Sequence, residues 1–400
     1  MGKEWFISVH FSQGQIKQLA LLTLLMILTV ACVDIHLASM PQMMIDMQTT
    51  KHHMQQSFSL YFLGAAFGLF LCGTWSDKIG RKPVVLFGII LSCLVCFLSA
   101  INDHIYVFIL LRFLMGIGSS VYGLALVIIA DMLKGKQLIT ATAFLMLIFL
   151  LGPMVAPMVG GYIQHWFGWQ QTFFILGGLL VGLIGLWVLF FNETNQHQGE
   201  NALTVKNFLK CNLGFIKNKL FVGCTLVAGI VGAASNVYLG LSSFIFQHEF
   251  HVSPIAFGWY TVGIGVATIF WAKLCPYFIS RLKDRASLKL SIFILFLSGL
   301  LCIALVYMGM IGSALFLLCA AFAMLAVMIV KTVGVDVVLS PFPDKRGMAA
   351  ALYGALQLLL SFLITSGVAG IHFSGISVIG WTYIALAMAS YLMYLRWVKI

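Results

Sequence analysis

Charge is what this sequence has least of. Only 9% of its 400 residues are charged, and Asp and Glu together number 12. A soluble domain carries roughly 25% charged residues and uses them to cover its surface. A chain this poor in charge cannot cover a water-facing surface of ordinary size. Long polar stretches are missing too: the longest runs from Asn192 to Lys219. That leaves no soluble domain large enough to be an enzyme. No His/Asp cluster and no metal-ligand spacing is present either, so neither a metal nor a cofactor is expected. The 9 cysteines suggest no disulfide framework. Cys93 and Cys96 form a CxxC, but inside an apolar stretch without further ligands, where small packing residues are expected. The first apolar segment is too long for a cleaved signal peptide and lacks a small-residue cleavage site, so it reads as a retained helix.

What is present is apolar: 61% of residues are hydrophobic, with 33 Phe and 38 Gly, and the mean hydropathy is +1.03. Apolar blocks of about 20 residues that avoid charge read as transmembrane helices. Twelve are predicted, at 18–42, 55–75, 83–101, 104–132, 138–163, 171–191, 220–246, 254–279, 288–309, 312–339, 347–372 and 376–396. The polar stretch, with Glu193, Glu200, Lys206, Lys210, Lys217 and Lys219, divides them into two groups of six. Residues 1–191 are therefore expected to form one six-helix bundle, 192–219 a linker and 220–400 a second bundle. Two such halves outline a secondary transporter built from repeats.

The net charge of +11 sits on one side of this arrangement. Lys78, Arg81 and Lys82, Lys134 and Lys136, Arg281, Lys283 and Arg285, and Lys345 and Arg346 occupy alternate loops. Lys3, Lys17, the linker, Arg396 and Lys399 fall on the same side. The opposite loops hold His52, His53, Asp103, His104, Glu249 and His251, with Lys51 the exception. The positive-inside rule makes both termini cytoplasmic. The basic balance thus reads as topology rather than as nucleic-acid binding.

Several motifs carry more. Between the second and third spans the chain reads Gly73-Thr-Trp-Ser-Asp77-Lys78-Ile-Gly80-Arg81-Lys82-Pro83. Gly73 would let helix 2 approach a neighbour, Gly80 would permit a tight turn, and Asp77 can accept from Arg81. Leu111-Arg112-Phe-Leu-Met-Gly116-Ile-Gly118 opens the fourth span. Gly152-Pro153-Met-Val-Ala156-Pro157-Met-Val-Gly160-Gly161 lies in the fifth. There the prolines free backbone carbonyls and the glycines permit close contact, so the segment can bend and seal a gate. The first loop resembles the signature loop of the major facilitator superfamily, the second segment its RxxxG motif, and the third its antiporter motif with Ala156 in place of one glycine.

Within that superfamily the chain is similar to the bicyclomycin/chloramphenicol resistance group of drug–proton antiporters. The stretches Asp34–Pro41, Trp166–Phe174, Ser242–Gly258 and Phe342–Gln357 carry this likeness. It implies an all-α membrane protein, with twelve transmembrane helices in two pseudo-symmetric six-helix bundles. It also implies that Asp131 joins Asp77 and Arg81 in a charge network that latches the halves outward-open. Departures are Gln170 for the usual arginine, His36 for a tyrosine, Met26 where some relatives have a second acid, and Lys331 and Asp336 in the tenth span.

A charge near the bilayer centre costs at least about 2.5–3.5 kcal/mol, so each such residue needs a reason. Asp34 is the expected proton site, since an apolar cavity favours a neutral carboxyl; otherwise it braces the end of helix 1. His36 lies two residues on, on nearly the opposite side of a helix, and is a proton relay or an interfacial histidine. Arg112 is a partner for Asp34 or a snorkelling arginine. Lys331, with Lys273 less deep, would bind an anionic group or pair with an acid. Tyr122, Asn236, Tyr238, Tyr260, Trp271 and Gln357, with Asp34 and Lys331, are the expected substrate cavity. Gly73, Asp77, Gly80, Arg81, Asp131, Gly152, Pro153, Pro157, Gly160 and Gly161 are the expected gate.

The expected function is secondary transport: proton-driven export of a small organic compound from a bacterial inner membrane. The proton gradient would supply the energy and the chain would act as a monomer. Its partners would be substrate, protons and lipid, with no nucleic acid. Export or import of one anionic metabolite, such as a carboxylate siderophore, is the alternative. A receptor or subunit without transport is the alternative of another class.

Overall fold

The computed structural model describes residues 10–195, 212–371 and 375–398. Lys3, Glu200, Lys206, Lys210 and Lys399 lie outside the described residues, as does the middle of the expected linker.

Among the described residues, twelve helices are long and apolar enough to cross a membrane. They are α1 (Gln13–Asp46), α2 (Lys51–Ile79), α3 (Arg81–Ala100), α4 (Ile105–Met132), α5 (Gly135–Phe167) and α6 (Trp169–Phe190), then α7 (Lys219–Glu249), α8 (Pro254–Tyr277), α9 (Asp284–Tyr307), α10 (Ser313–Leu339), α11 (Arg346–Ala369) and α12 (Ser377–Val398). The chain is a multi-pass membrane protein with twelve spans, as the hydropathy pattern predicts. Helices are the economical answer in lipid, because each span satisfies its own backbone hydrogen bonds.

Two helices are not continuous. The first is regular from Gln13 to Asp34, tightens to a 3₁₀ turn at Leu37–Ser39 and resumes at Met40–Asp46. Pro41 explains the break: it has no N–H to donate, and its ring crowds the carbonyl four residues back. The fourth helix is interrupted after Ser119. There Ser119 Oγ donates to the Gly116 carbonyl at 3.4 Å and Ser120 Oγ to the Ile117 carbonyl at 2.7 Å. Serines that bond back to their own helix, next to glycine, are a recognised cause of kinks.

Helix contacts follow from the small residues. A side chain at Gly64 would strike the Phe113 backbone, and one at Gly116 the backbone of Tyr61 and Ala65, so α2 and α4 run backbone against backbone. Gly80, at φ 103°, turns the chain sharply from α2 into α3, as its place in the motif predicts. Gly73 differs from expectation: a side chain there would meet nothing within 4 Å, so it mediates no close approach.

Between the halves, α2 lies along α11 and α5 along α8. Hydrogen bonds join them: His52 Nδ1 donates to the Ala369 carbonyl at 2.8 Å, Gln247 Nε2 to the Ala38 carbonyl at 2.8 Å and Trp259 Nε1 to the Tyr162 hydroxyl at 3.2 Å. All three lie at the end away from the basic loops. A side chain at Gly161 would strike the Pro254 carbonyl, at the same end.

Replacing Gly116 by Leu should cost at least about 1–3 kcal/mol of overpacking and abolish a monodisperse gel-filtration peak. Gly73→Ala should leave the melting temperature unchanged or higher. A well-folded Gly116→Leu protein would refute the tight α2–α4 contact.

Candidate functional site

The break in α1 creates the site. Where the helix stops, its last carbonyls lose their ordinary partners. Arg112 of α4, fully buried, takes them: Nη1 donates to the Cys32 carbonyl at 2.7 Å and Nη2 to that of Val33 at 3.2 Å. Its guanidinium also lies over the Tyr61 ring, 5.0 Å from the centroid. The Tyr61 hydroxyl in turn pairs with that of Ser119 at 2.6 Å, at the kink in α4. A fork of fixed donors suits two successive carbonyls in a way lysine could not.

Asp34 stands at this same break, 2% exposed, with Oδ1 lacking any hydrogen-bond partner. Arg112 is the charged group that acts on it. The expectation that Arg112 pairs directly with Asp34 is corrected: the guanidinium is spent on backbone carbonyls, and no ion pair joins the two among the described residues. His36 is fully buried and turned away, with its ring 6.4 Å from that of Phe108 and 6.0 Å from that of Phe173. It does not line the cavity that Asp34 faces.

That cavity lies between the two halves and holds about 460 Å³. Its walls include Thr29, Asp34, Tyr61 and Tyr122 from the first half, and Asn236, Tyr238, Lys331, Tyr353 and Gln357 from the second. Phe62, Phe149, Met154, Met324 and Met328 supply apolar surface. Asn236 Nδ2 donates to Ser361 Oγ at 2.9 Å, tying α7 to α11 on the cavity wall. A mostly apolar chamber with a few placed polar groups suits a drug-sized organic molecule.

Six of the eight expected cavity residues are brought together; Tyr260 and Trp271 are not. The Tyr260 hydroxyl pairs with that of Ser313 at 2.8 Å and its ring stacks on Phe246 at 4.5 Å. Trp271 Nε1 donates to the Ala321 carbonyl at 2.9 Å. Both side chains are used to fasten α8 to its neighbours. Lys273 and Asp336 are exposed but do not line the cavity, so Lys331 is the lysine on its wall. Tyr61, Thr29 and Tyr353 are wall residues that the sequence did not single out. Tyr61 lies three residues before Gly64, which packs closely on α4.

The basic loop forms a second cluster. Arg81 Nη1 meets Asp77 Oδ1 at 2.5 Å and Ser76 Oγ at 2.6 Å, while Nε meets Asp131 Oδ2 at 3.2 Å. Glu193, unforeseen in this role, accepts from the backbone N–H groups of Arg81 and Lys82, each at 2.9 Å. It thereby caps the N-terminus of α3 from the start of the linker. Burial opposes its charge, but these bonds and those from Asn195 and Thr194 outweigh it, holding the carboxyl below its usual range. In this structure the halves are bonded at the opposite end, and the latch expected of the outward-open state is not formed at Arg81. Its three side-chain partners all belong to the first half, so it braces α2, α3 and α4 against one another. Of the α5 gate residues, Gly160 packs on the Ile35 carbonyl at the α1 break and Gly152 on the Val30 side chain. Pro153 lines the cavity and Pro157 is buried inside α5.

The sequence pattern described as Major Facilitator Superfamily matches residues 22–365. A bicyclomycin resistance protein homolog of Haemophilus influenzae is 26% identical over 367 residues, covering 90% of this chain and 91% of its own. The multidrug resistance protein MdtL of Shewanella oneidensis is 24% identical over 337 residues, covering 83% of each. Among solved structures, the xylose transporter XylE of E. coli, in a partially occluded inward-open conformation, superposes with a TM-score of 0.74. It does so at 14% identity, over 96% of this chain and 97% of its own.

Arg112→Ala would orphan two buried carbonyls, at about 1–3 kcal/mol each, and should lower the melting temperature sharply; Arg112→Lys should recover only part of the loss. An unchanged Arg112→Ala melt would refute the capping role. The depressed Glu193 carboxyl contributes stability above the ordinary carboxylate range, lost as pH falls through its folded-state value. Melts taken from pH 6 downward should therefore fall less steeply in Glu193→Gln, and parallel curves would refute it.

Proposed function

The chain belongs to the Major Facilitator Superfamily, and from that premise we propose that this transporter exports small organic compounds in exchange for protons. It is a transporter and not an enzyme. The observation that carries the proposal is Asp34: a buried carboxyl at a helix break, on the wall of a drug-sized cavity, with one oxygen free. The names of the relatives, bicyclomycin resistance and multidrug resistance, support a drug-like substrate.

In this reading residues 1–191 and 220–400 are two bundles that rock about the cavity, with 192–219 as the linker. The basic end faces the cytoplasm of a bacterial inner membrane, with both termini there, and the chain works as a monomer. The hydrogen bonds joining the halves at the other end favour an inward-facing state. A proton reaching Asp34 from outside neutralises it. Its release inside restores the charge, and the charge at the α1 break decides which way the halves rest. Because α5 packs on that break through Gly160 and on α8 through Gly161, a change at Asp34 has a short route to the outer seal. Arg112 positions the break, and His36, packed between aromatic rings, is a structural neighbour rather than a proton relay.

Proteoliposomes with an internal pH dye, challenged with bicyclomycin across a proton gradient, test this. Substrate-dependent proton movement is expected, with Asp34→Asn reducing it to the rate of empty vesicles. Movement surviving that change would remove Asp34 from the mechanism. Substrate binding with no flux at all would favour a receptor.

A further inference from the structure

The cavity carries one acid and one base, from opposite halves. Asp34 stands on α1 and Lys331 on α10. Arg112 sits beside Asp34, whereas no charged side chain acts on Lys331 among the described residues. Lys331 also has no hydrogen bond or ion pair there, and it is exposed on the cavity wall. Asp336, five residues on, is exposed away from the cavity. The free ammonium therefore presents three unused donors to the chamber.

The unpaired ammonium has a consequence. While the cavity is wet, water satisfies Lys331. When the halves close around a cargo, that water is displaced, and a bare ammonium in an apolar chamber is costly. A cargo that brings its own negative charge removes the penalty, and a neutral or cationic cargo does not. We propose that Lys331 forms an anion-recognition subsite, and that the preferred cargo is an amphipathic organic acid. Its carboxylate or equivalent anion meets the second half, while its apolar body lies against the Met and Phe surface. The proton site on the first half remains separate. The inference rests on the transporter reading and deepens it. At one proton in per monoanion out, two positive charges shift inward, so an inside-negative potential drives the cycle.

Equilibrium binding tests this independently of any flux. The purified full chain in nanodiscs is titrated with 2-naphthoate, its neutral amide and 2-naphthylmethylamine, read by tryptophan fluorescence. The carboxylate should bind about tenfold or more tighter than the amide, the range of a charge-assisted hydrogen bond. Lys331→Gln should bring that ratio to about one. Lys331→Arg should keep the preference, which separates lost charge from lost fold. Amine binding as tight as carboxylate binding, a preference that survives in Lys331→Gln, or no binding of any of the three would each overturn the subsite. If proton flux fails while this preference holds, the coupling reading falls and the subsite stands.

Discussion

A buried guanidinium holding the broken end of a helix is the interaction on which the rest of this structure depends. Pro41 prevents α1 from continuing, and a helix end inside an apolar bundle cannot leave its carbonyls bare. Arg112 supplies the missing donors at 2.7 and 3.2 Å. The backbone-to-backbone approach of α4 and α2 through Gly64 and Gly116 sets Tyr61 and Ser119 around it. Three otherwise separate features therefore form one unit: a proline, a pair of glycines and an arginine. Asp34 is where it is because that unit ends the helix there.

The same economy governs the two ends of the molecule. At the basic end, Arg81 and Glu193 spend their hydrogen-bonding capacity inside the first half, bracing α2, α3 and α4 against one another. At the opposite end, single hydrogen bonds join the halves, among them His52 to Ala369, Gln247 to Ala38 and Trp259 to Tyr162. The central chamber follows the same division. Its acid and its base belong to different halves, so a relative motion of the halves changes the distance between them.

How much of this was legible depends on range. Gly80 was readable because a positive φ at a helix corner is a local demand that glycine meets. The pairing of Arg81 with Asp77 was readable because four residues on a helix bring the two together. Glu193 was not readable as a cap, because it reaches α3 from 112 residues away. Tyr260 and Trp271 looked like cavity residues by polarity and depth. The fold instead spends their polar atoms on Ser313 and the Ala321 carbonyl.

By itself the sequence determined that the chain crosses a membrane twelve times and that one end is basic. It also placed the Gly–Asp–Gly–Arg loop and the Asp34 segment on that frame. These are consequences of composition and short-range spacing, which no packing arrangement can alter. Only the tertiary structure decided which ionisable groups share a chamber, and that Arg112 serves carbonyls rather than Asp34. It alone separated Lys331 from Lys273. The reason is physical: a membrane helix that is apolar on every side has no stripe to announce which face turns inward. That choice is made by its neighbours.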